Sequence, residues 1–209
     1  MARTIEKTLA LHGRRPFIIG ALFGMTPTRA TRQQLIDKKW VRRGEDFVCP
    51  WMRCPRPKCD GELVWHAADI ASGIERLACA RHGCEGQVGE NQIILTRSRL
   101  QRQPPDILFT TTEMLNQRLS DHWMRGLFGV GIPIARKPFL ALLDEVHTYE
   151  GSTGAQAALT LRRWRHLSAA PISWVGLSAT LGDAARFFSD LTGANPESVV
   201  EITPTFGEF

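Results

Sequence analysis

The sequence predicts an α/β fold built on a mostly parallel sheet, with a small metal-binding insertion. Two observations support this fold class. Short apolar runs alternate with helix-like segments along most of the chain, and all five cysteines fall between Cys49 and Cys84. Strands that alternate with helices favour parallel pairing through right-handed crossovers, and clustered cysteines favour a bound metal over a disulfide framework. The 209 residues suffice for one domain with a core plus an insertion.

Apolar runs of strand length recur outside the cysteine-rich segment. They span residues 17–24, 92–96, 106–110, 139–143, 172–177 and 198–203. The run at 139–143 consists only of apolar residues, which predicts a strand buried on both faces in the middle of a parallel sheet.

Helix signals separate these runs. Thr153 and Gln156 fit a capping box at the start of one helix. Residues 97–103 form a short basic segment, and residues 121–138 are predicted to be an irregular apolar loop. The predicted helices cover residues 3–12, 28 or 31 to about 40, 112–119, 153–166 and 182–191.

The net charge of +5 suits a polyanionic partner and equally suits a basic solvated surface. No apolar run reaches the length of a membrane span. Charged residues interrupt the first 16 residues, which therefore do not resemble a secretory signal. We expect a cytoplasmic protein, in which clustered cysteines stay reduced.

Residues 41–90 carry the cysteines among prolines, glycines and short predicted strands. Cys54 and Cys59 enclose four residues, Cys79 and Cys84 enclose four more, and nineteen residues separate the two pairs. Each pair presents two thiolates, and a hairpin between the pairs returns the second to the first. The spacing therefore predicts a structural, tetrahedral Zn²⁺ site in a zinc-ribbon-like module.

The exact ligand set is open at this point. Cys49 is an alternative first ligand, because four residues also separate it from Cys54. His66 or His82 could replace a cysteine. The simpler interpretation is that some of these thiols are ordinary buried or free cysteines.

Basic and aromatic residues are interleaved in the same segment. Cations beside exposed tryptophans would bind a nucleic-acid strand through phosphate contacts and stacking. Alternatively, Trp40 and Trp51 pack the small core of the module while the cations are solvated. The cations are Arg42, Arg43, Arg53, Arg56 and Lys58.

Asp144 and Glu145 directly follow the run at 139–143, and His147 comes two places later. In open α/β sheets, ligands bind at the carboxyl ends of the strands. Two acids at that edge are placed for chemistry on a phosphate-bound metal, although an acidic pair after a strand is also common in surface turns. Ser178-Ala179-Thr180 closes the next predicted strand.

Together these segments resemble the first RecA-like domain of superfamily 2 helicases of the DEAD/DEAH-box kind. Asp144-Glu145-Val146-His147 matches motif II in the DExH form, and Ser178-Ala179-Thr180 matches motif III. Residues 111–115 resemble the motif Ib region. The sequence around motif II is similar to large bacterial helicases with extra zinc-binding elements. The resemblance covers roughly residues 1–40 and 90–209.

The resemblance implies roles for the matched residues. Asp144 would hold Mg²⁺ with ATP, and Glu145 would orient or deprotonate the water that attacks the γ-phosphate. His147 and Ser178-Ala179-Thr180 would couple the nucleotide state to movement between two RecA-like domains.

Thr111 and Thr112 would, by the same resemblance, contact the backbone of DNA or RNA without reading its sequence. The residues themselves leave a local alternative open, since threonine hydroxyls commonly cap the start of a helix. The predicted helix at 112–119 begins directly at this point.

No phosphate-cradling loop of the form GxxxxGK[ST] occurs in the 209 residues, because glycine precedes none of the lysines. We therefore expect residues 1–40 to be a partial first RecA-like domain, 41–90 a zinc-ribbon-like insertion, and 91–209 the continuation of that domain. The expected partners are DNA or RNA, an upstream phosphate-loop segment and a second RecA-like domain.

The leading functional hypothesis is a fragment of an ATP-dependent nucleic-acid helicase or translocase. We expect the isolated chain neither to bind ATP tightly nor to hydrolyse it, because the phosphate loop is missing. The alternative is a zinc-ribbon module that binds nucleic acid or a protein partner on a catalytically dead helicase remnant.

Overall fold

The structure, a computed structural model, describes residues 17–178 and 181–203. The chain divides into two compact units, residues 1–114 and 115–209. Both contain helices and parallel strands, so the mixed α/β class with parallel pairing is confirmed, while a RecA-like fold stays a prediction. The predicted helix at 3–12 lies outside the described residues. Within the described ranges, no helix is long and apolar enough to cross a bilayer.

The strands and helices of the first unit are numbered here in chain order. They are β1 (Ile19–Leu22), α1 (Arg32–Asp37), β2 (Val41–Arg43), β3 (Asp46–Arg53), β4 (Glu62–Trp65), α2 (Ala67–Ser72), β5 (Leu77–Cys79), β6 (Gln87–Val88), β7 (Ile93–Ile94), α3 (Arg97–Arg102) and β8 (Ile107–Thr110).

Helix α4 (Thr112–Leu119) spans the division between the units. The elements after it are β9 (Leu140–Leu143), α5 (Gly151–Ser168), β10 (Ser173–Gly176) and α6 (Ala184–Thr192). Short 3-10 helices lie at Arg125–Phe128, Ile134–Arg136, Val146–Thr148 and Pro196–Ser198. Two of them fall in the predicted irregular loop at 121–138.

A parallel sheet of three strands, in the order β7-β1-β8, forms one layer of the first unit. Ile19 in the central strand pairs with Ile93 on one side and Ile107 on the other. The basic segment after β7 is a helix, α3, because the Thr96 hydroxyl caps it by accepting from the Arg99 backbone N–H at 3.3 Å.

The second sheet of this unit is antiparallel and joins β2, β3, β4, β5 and β6 in sequence order. Its core contains the fully buried Phe47, Leu63, Trp65 and Leu77. The same cluster of buried residues extends to Ile93 and to other apolar residues beside β7. Residues 41–88 therefore form a small module whose core continues into the neighbouring parallel sheet.

A buried carboxylate joins this module to the start of α3. Glu75 accepts hydrogen bonds from the Leu95 backbone N–H at 2.6 Å and from the Thr96 hydroxyl at 2.5 Å. Arg99 lies 3.3 Å from the same carboxylate. Because Glu75 is buried, these three partners replace the water that its charge would otherwise require.

In the second unit, β9 and β10 form a two-stranded parallel sheet. Helices α5 and α6 cover one face, where the Trp164 and Trp174 rings meet edge to face at 5.5 Å. The opposite face exposes 49% of Leu140 and 48% of Leu142. The prediction that this strand is buried on both faces is wrong, because helices cover only one face in the described part of this unit.

Two further predictions at element ends are wrong. The helix predicted to begin near Thr153 begins at Gly151, and Glu150 occupies its N-cap position without a side-chain cap bond. Thr153 therefore lies inside the helix, so there is no capping box. The run at 198–203 is not a strand: the Pro196–Ser198 turn precedes it, and residues 199–203 pair with no other strand in the described chain. A run rich in β-branched residues does not make a strand where no neighbour is available to pair.

Candidate functional site

The acidic pair lies in a constrained turn at the carboxyl end of β9. Asp144 and Glu145 are both exposed. Glu145 has the left-handed backbone φ of +51°, which is uncommon for a residue with a side chain. Its N–H donates to Asp144 Oδ1 at 3.0 Å, and its carbonyl accepts from the Thr148 hydroxyl at 2.8 Å. Two carboxylates are thus held beside each other in solvent, where hard cations can reach them.

The loop after β10 is joined to this turn through backbone and side-chain bonds. The Leu177 N–H donates to the Leu143 carbonyl at 2.8 Å, and the Val146 N–H donates to the Leu177 carbonyl at 2.9 Å. His147 Nδ1 lies 3.2 Å from Ser178 Oγ. The structure therefore brings His147 and Ser178 together with the acids on one rim of the sheet. Ala179 and Thr180 lie outside the described residues.

His147 also faces Glu145, at 3.5 Å between Nδ1 and Oε2. The same ring nitrogen therefore faces both Glu145 and Ser178. Nearby, burial and the charge of Asp144 raise the pKa of Tyr149. The turn is therefore a small polar network with one histidine shared between two partners.

The predicted nucleic-acid residues lie at the start of α4. The Thr111 hydroxyl accepts a hydrogen bond from the Met114 backbone N–H at 3.2 Å, as a helix cap does. Thr112 is the first residue of the helix. The structure thus shows a local role for Thr111, and contact of either threonine with nucleic acid stays a prediction.

Four cysteine sulfurs converge at one end of the module. The Sγ atoms of Cys54, Cys59, Cys79 and Cys84 all lie within 4.8 Å of one another. The Cys54–Cys84 and Cys59–Cys79 sulfur pairs are 3.7 and 3.8 Å apart. Four thiolates around a tetrahedral Zn²⁺ at about 2.3 Å would lie about 3.8 Å from one another. The spacing fits a metal such as zinc and is far too long for a disulfide.

The two cysteine pairs belong to a repeated eight-residue loop that the sequence interpretation missed. Residues 54–61 (CPRPKCDG) and 79–86 (CARHGCEG) share the pattern C-x-R-x-x-C-acid-G, and we call each loop a knuckle. In each knuckle the first cysteine N–H donates to the glycine carbonyl and the second donates to the arginine carbonyl, at 2.8–3.1 Å. Aligning the two segments on their cysteines would have revealed this repeat.

The glycine that ends each knuckle leaves room for the sulfurs of the other. A Cβ on Gly61 would lie 2.6 Å from Cys79 Sγ, and a Cβ on Gly86 would lie 2.4 Å from Cys54 Sγ. Ordinary Cβ contacts are never this short. Any side chain at these two positions would push apart the sulfurs that form the cluster. The glycines are therefore part of the site although they supply no ligand atom.

The pKa values of Cys54, Cys59 and Cys79 are shifted in different directions. The Gly61 backbone N–H lowers the pKa of Cys59 to about 7, whereas burial raises the pKa of Cys54 to about 12. Burial also raises the pKa of Cys79, against a bond from the Arg81 N–H. Metal binding requires thiolates, so the cluster would release protons when it takes up a cation.

The alternative ligands lie elsewhere. Cys49 is buried in the core on β3, outside the cluster, and burial raises its pKa to about 11. His66 Nδ1 lies 2.9 Å from Asp46, and neither His66 nor His82 is among the converging groups. Of the candidate ligands, the structure brings together Cys54, Cys59, Cys79 and Cys84.

The tryptophans of this module are structural. Trp40 is buried, and its ring lies 5.0 Å from the half-buried Trp51 and 5.8 Å from Trp65. Trp40 and Trp51 therefore pack in the core of the module and are not exposed for stacking on nucleic-acid bases. Four of the cations face nearby glutamates: Arg42 faces Glu45, Arg43 and Arg53 face Glu62, and Arg56 faces Glu85.

Two curated proteins of Escherichia coli are similar to part of the chain. The Lhr helicase/uracil glycosylase of strain K12 is 40% identical over 105 residues, which are 50% of this chain and 6% of that protein. The Druantia protein DruE of strain UMEA 4076-1 is 32% identical over 119 residues, which are 52% of this chain and 6% of that protein. This chain contains a helicase-related region.

The matched stretch spans only 6% of the length of each relative. No family model and no solved structure matches the chain. The similarity therefore supports the helicase relation of this region.

Proposed function

We propose that this chain is part of an ATP-dependent helicase or translocase that acts on DNA or RNA. One observation supports the proposal most directly. The acidic pair and Ser178 follow adjacent parallel strands, and His147 Nδ1, in the turn of the acids, lies 3.2 Å from Ser178 Oγ. Ligands bind at this edge of α/β sheets, and two acids beside a hydroxyl suit a bound nucleotide phosphate. The helicase-related region supports the same function.

In this function the two acids have separate roles. Asp144 would hold the Mg²⁺ that accompanies ATP, because Mg²⁺ prefers hard carboxylate oxygens. Bound there, the cation would neutralise charge on the transferring phosphate. Glu145 would orient the attacking water, since its carboxylate lies next to Asp144 and is open to solvent.

The arrangement around His147 favours coupling over a hydrolase triad. In a serine triad the histidine uses one ring nitrogen for the serine and the other for the acid. Here Ser178 and Glu145 both face Nδ1, at 3.2 and 3.5 Å. A change at Glu145 during the nucleotide cycle would therefore alter the bond to Ser178, which connects the two strand ends.

Replacing Glu145 by glutamine tests this function in a protein that joins the chain to a phosphate-loop segment and a second RecA-like domain. We expect kcat for ATP hydrolysis to fall by about 10²- to 10⁴-fold, because glutamine cannot accept the proton of the water. ATP affinity should change little. Steady-state ATPase assays with nucleic acid present provide the measurement.

Glu150→Gln is the matched control for this substitution. Glu150 is exposed, stands five residues away at the start of α5, and makes no cap bond, so its loss should leave kcat within about twofold. Equal kcat values for Glu145→Gln and the unchanged protein would refute the proposed role.

The 209-residue chain by itself is expected to show no saturable ATP binding. Carboxylates at the strand ends hold the cation, but backbone N–H groups and a lysine of a phosphate loop are needed to hold the phosphates. Isothermal titration with Mg-ATP checks this expectation. Saturation at micromolar ATP would show that other residues of the chain bind phosphate.

The cysteine cluster favours a second function, in which the module binds nucleic acid or a protein partner and the rest is its scaffold. Four protein ligands leave no open coordination position, so the metal would be structural and would shape a binding surface. Glu145→Gln separates the two functions, since a motor would lose ATP hydrolysis whereas binding by the module would not change.

A further inference from the structure

Trp123 is exposed to solvent, unlike the other tryptophans of the chain. It exposes 74% of its surface, whereas the other five are buried or half-buried. Leaving an indole ring of this size in water forgoes a large gain in burial free energy. The ring is therefore available to a partner, and its surroundings decide which class of partner it suits.

Hydrogen bonds to Asp121 order the turn that carries Trp123. Asp121 Oδ1 accepts from the Trp123 backbone N–H at 3.0 Å, and Asp121 Oδ2 accepts from Arg118 at 2.9 Å. The Asp121 carbonyl accepts from the N–H groups of Met124 and Arg125 at 3.1 and 2.9 Å. The turn is thus ordered before any partner binds, which lowers the entropy cost of binding.

The surroundings of Trp123 are positively charged. Asp121 is the only acid between residues 115 and 143, and it is already paired with Arg118. Arg125, two residues after Trp123, has no carboxylate partner among the described residues. Arg163 donates to two neutral groups, Asn116 at 3.0 Å and Ser120 at 2.6 Å, so its charge is not balanced there.

Charge and shape together select the class of partner. A polyanion would be attracted by the unbalanced arginines, and its charge would complement this surface. Single-stranded nucleic acid combines phosphates with flat bases that stack on exposed aromatic rings beside cations. An acidic peptide satisfies the charge but has no repeating flat group for the indole.

We propose that Trp123 is a stacking platform for an unpaired base of single-stranded nucleic acid, with Arg125 and Arg163 beside the flanking phosphates. The inference rests on the proposed function in one respect, that the partner is a nucleic acid. It does not depend on ATP hydrolysis or on the acidic turn. The His122 ring, 5.9 Å from the indole, borders the same platform.

The test compares two fluorescently labelled oligonucleotides by anisotropy, using the 209-residue chain at low salt. One is oligodeoxythymidine of about 12 nucleotides, and the other has the same phosphate backbone without bases. Trp123→Ala should weaken binding of oligodeoxythymidine by about tenfold, because one stacked base is lost. Binding of the abasic strand should not change, since phosphate contacts are intact.

Trp123→Phe keeps an aromatic face and should stay within about threefold of the unchanged chain. Phe139→Ala removes a ring of similar exposure, 77%, from the same unit and should have no effect on either oligonucleotide. Circular dichroism spectra and melting curves of all variants should match those of the unchanged chain, because both rings are exposed and contribute little to packing.

The outcomes separate the two claims. If the unchanged chain binds oligodeoxythymidine and Trp123→Ala binds it equally well, stacking is refuted while a nucleic-acid partner is retained. If Trp123→Ala loses affinity equally for both oligonucleotides, the ring acts on the backbone and stacking is again refuted. If the unchanged chain binds neither strand, both the platform and the nucleic-acid partner are refuted for this chain.

Discussion

The chain with Cys84→Ser is expected to purify without zinc and to lose the ordered antiparallel sheet of its first unit. Cys84 supplies one of four sulfurs that lie within 4.8 Å of one another, and the remaining three cannot complete a tetrahedral site. Binding of structural zinc contributes roughly 10–16 kcal/mol to folding in small zinc modules. We expect zinc affinity to fall by more than about 100-fold.

Zinc content per chain, measured by atomic absorption after purification in a reducing buffer, checks this expectation. Near-ultraviolet circular dichroism reports the packing of Trp40, Trp51 and Trp65 in the same module. Cys49→Ala is the matched control, because Cys49 is buried in the module but lies outside the cluster. It should retain one zinc per chain. Zinc lost from Cys49→Ala but retained in Cys84→Ser would reverse the ligand assignment.

The Gly154→Ala substitution in α5 is expected to destabilise the chain by about 3 kcal/mol. A Cβ at this position would lie 2.2 Å from the Tyr149 carbonyl oxygen and 2.6 Å from its carbonyl carbon. These are backbone atoms, which cannot rotate away as a side chain can. The turn from Asp144 to Tyr149 would have to shift, and it carries the acidic pair.

The direction of the change in unfolding free energy distinguishes a steric clash from an effect of helix propensity. Intrinsic helix propensity favours alanine over glycine by about 1 kcal/mol, so a propensity effect would stabilise the variant. Gly182→Ala is the matched control, since Gly182 is exposed and a Cβ there meets nothing within 4 Å. It should change the free energy of unfolding by less than about 0.5 kcal/mol in urea titrations. A Gly154→Ala chain at least as stable as the original would show that the turn is not tightly packed.

The knuckle repeat helps to explain how a segment of this size keeps its shape, and a metal bound by the four cysteines would add to it. Small modules with limited cores need additional constraints, and here two equivalent loops bring their sulfurs together at one end of the module. Arg56 and Arg81 occupy equivalent positions, and each lies against the glycine of the other knuckle.

Several local features could be predicted because they depend on neighbours in the chain. The apolar run before Asp144 forms β9, and the acids follow its carboxyl end. The Cys-x4-Cys spacing places two sulfurs per knuckle, whatever surrounds them. Thr31 caps α1 by accepting from the Gln34 N–H, as hydroxyl residues do at helix starts.

Other features depend on packing between distant residues. Spacing alone does not distinguish Cys49 from Cys54 as a ligand, since four residues follow each before the next cysteine, yet Cys49 lies in the core of the module. Likewise, Trp40 and Trp123 both stand beside basic residues, and only packing places one inside and the other in solvent.

The sequence by itself determined which residue types lie at strand ends and in the knuckles, because those positions follow from short-range spacing. The tertiary structure alone decided which faces of β9 are covered, that the two cysteine pairs converge, and which tryptophan is left exposed. Burial and convergence are properties of segments brought together from far apart in the chain, and no local pattern records which segments those will be.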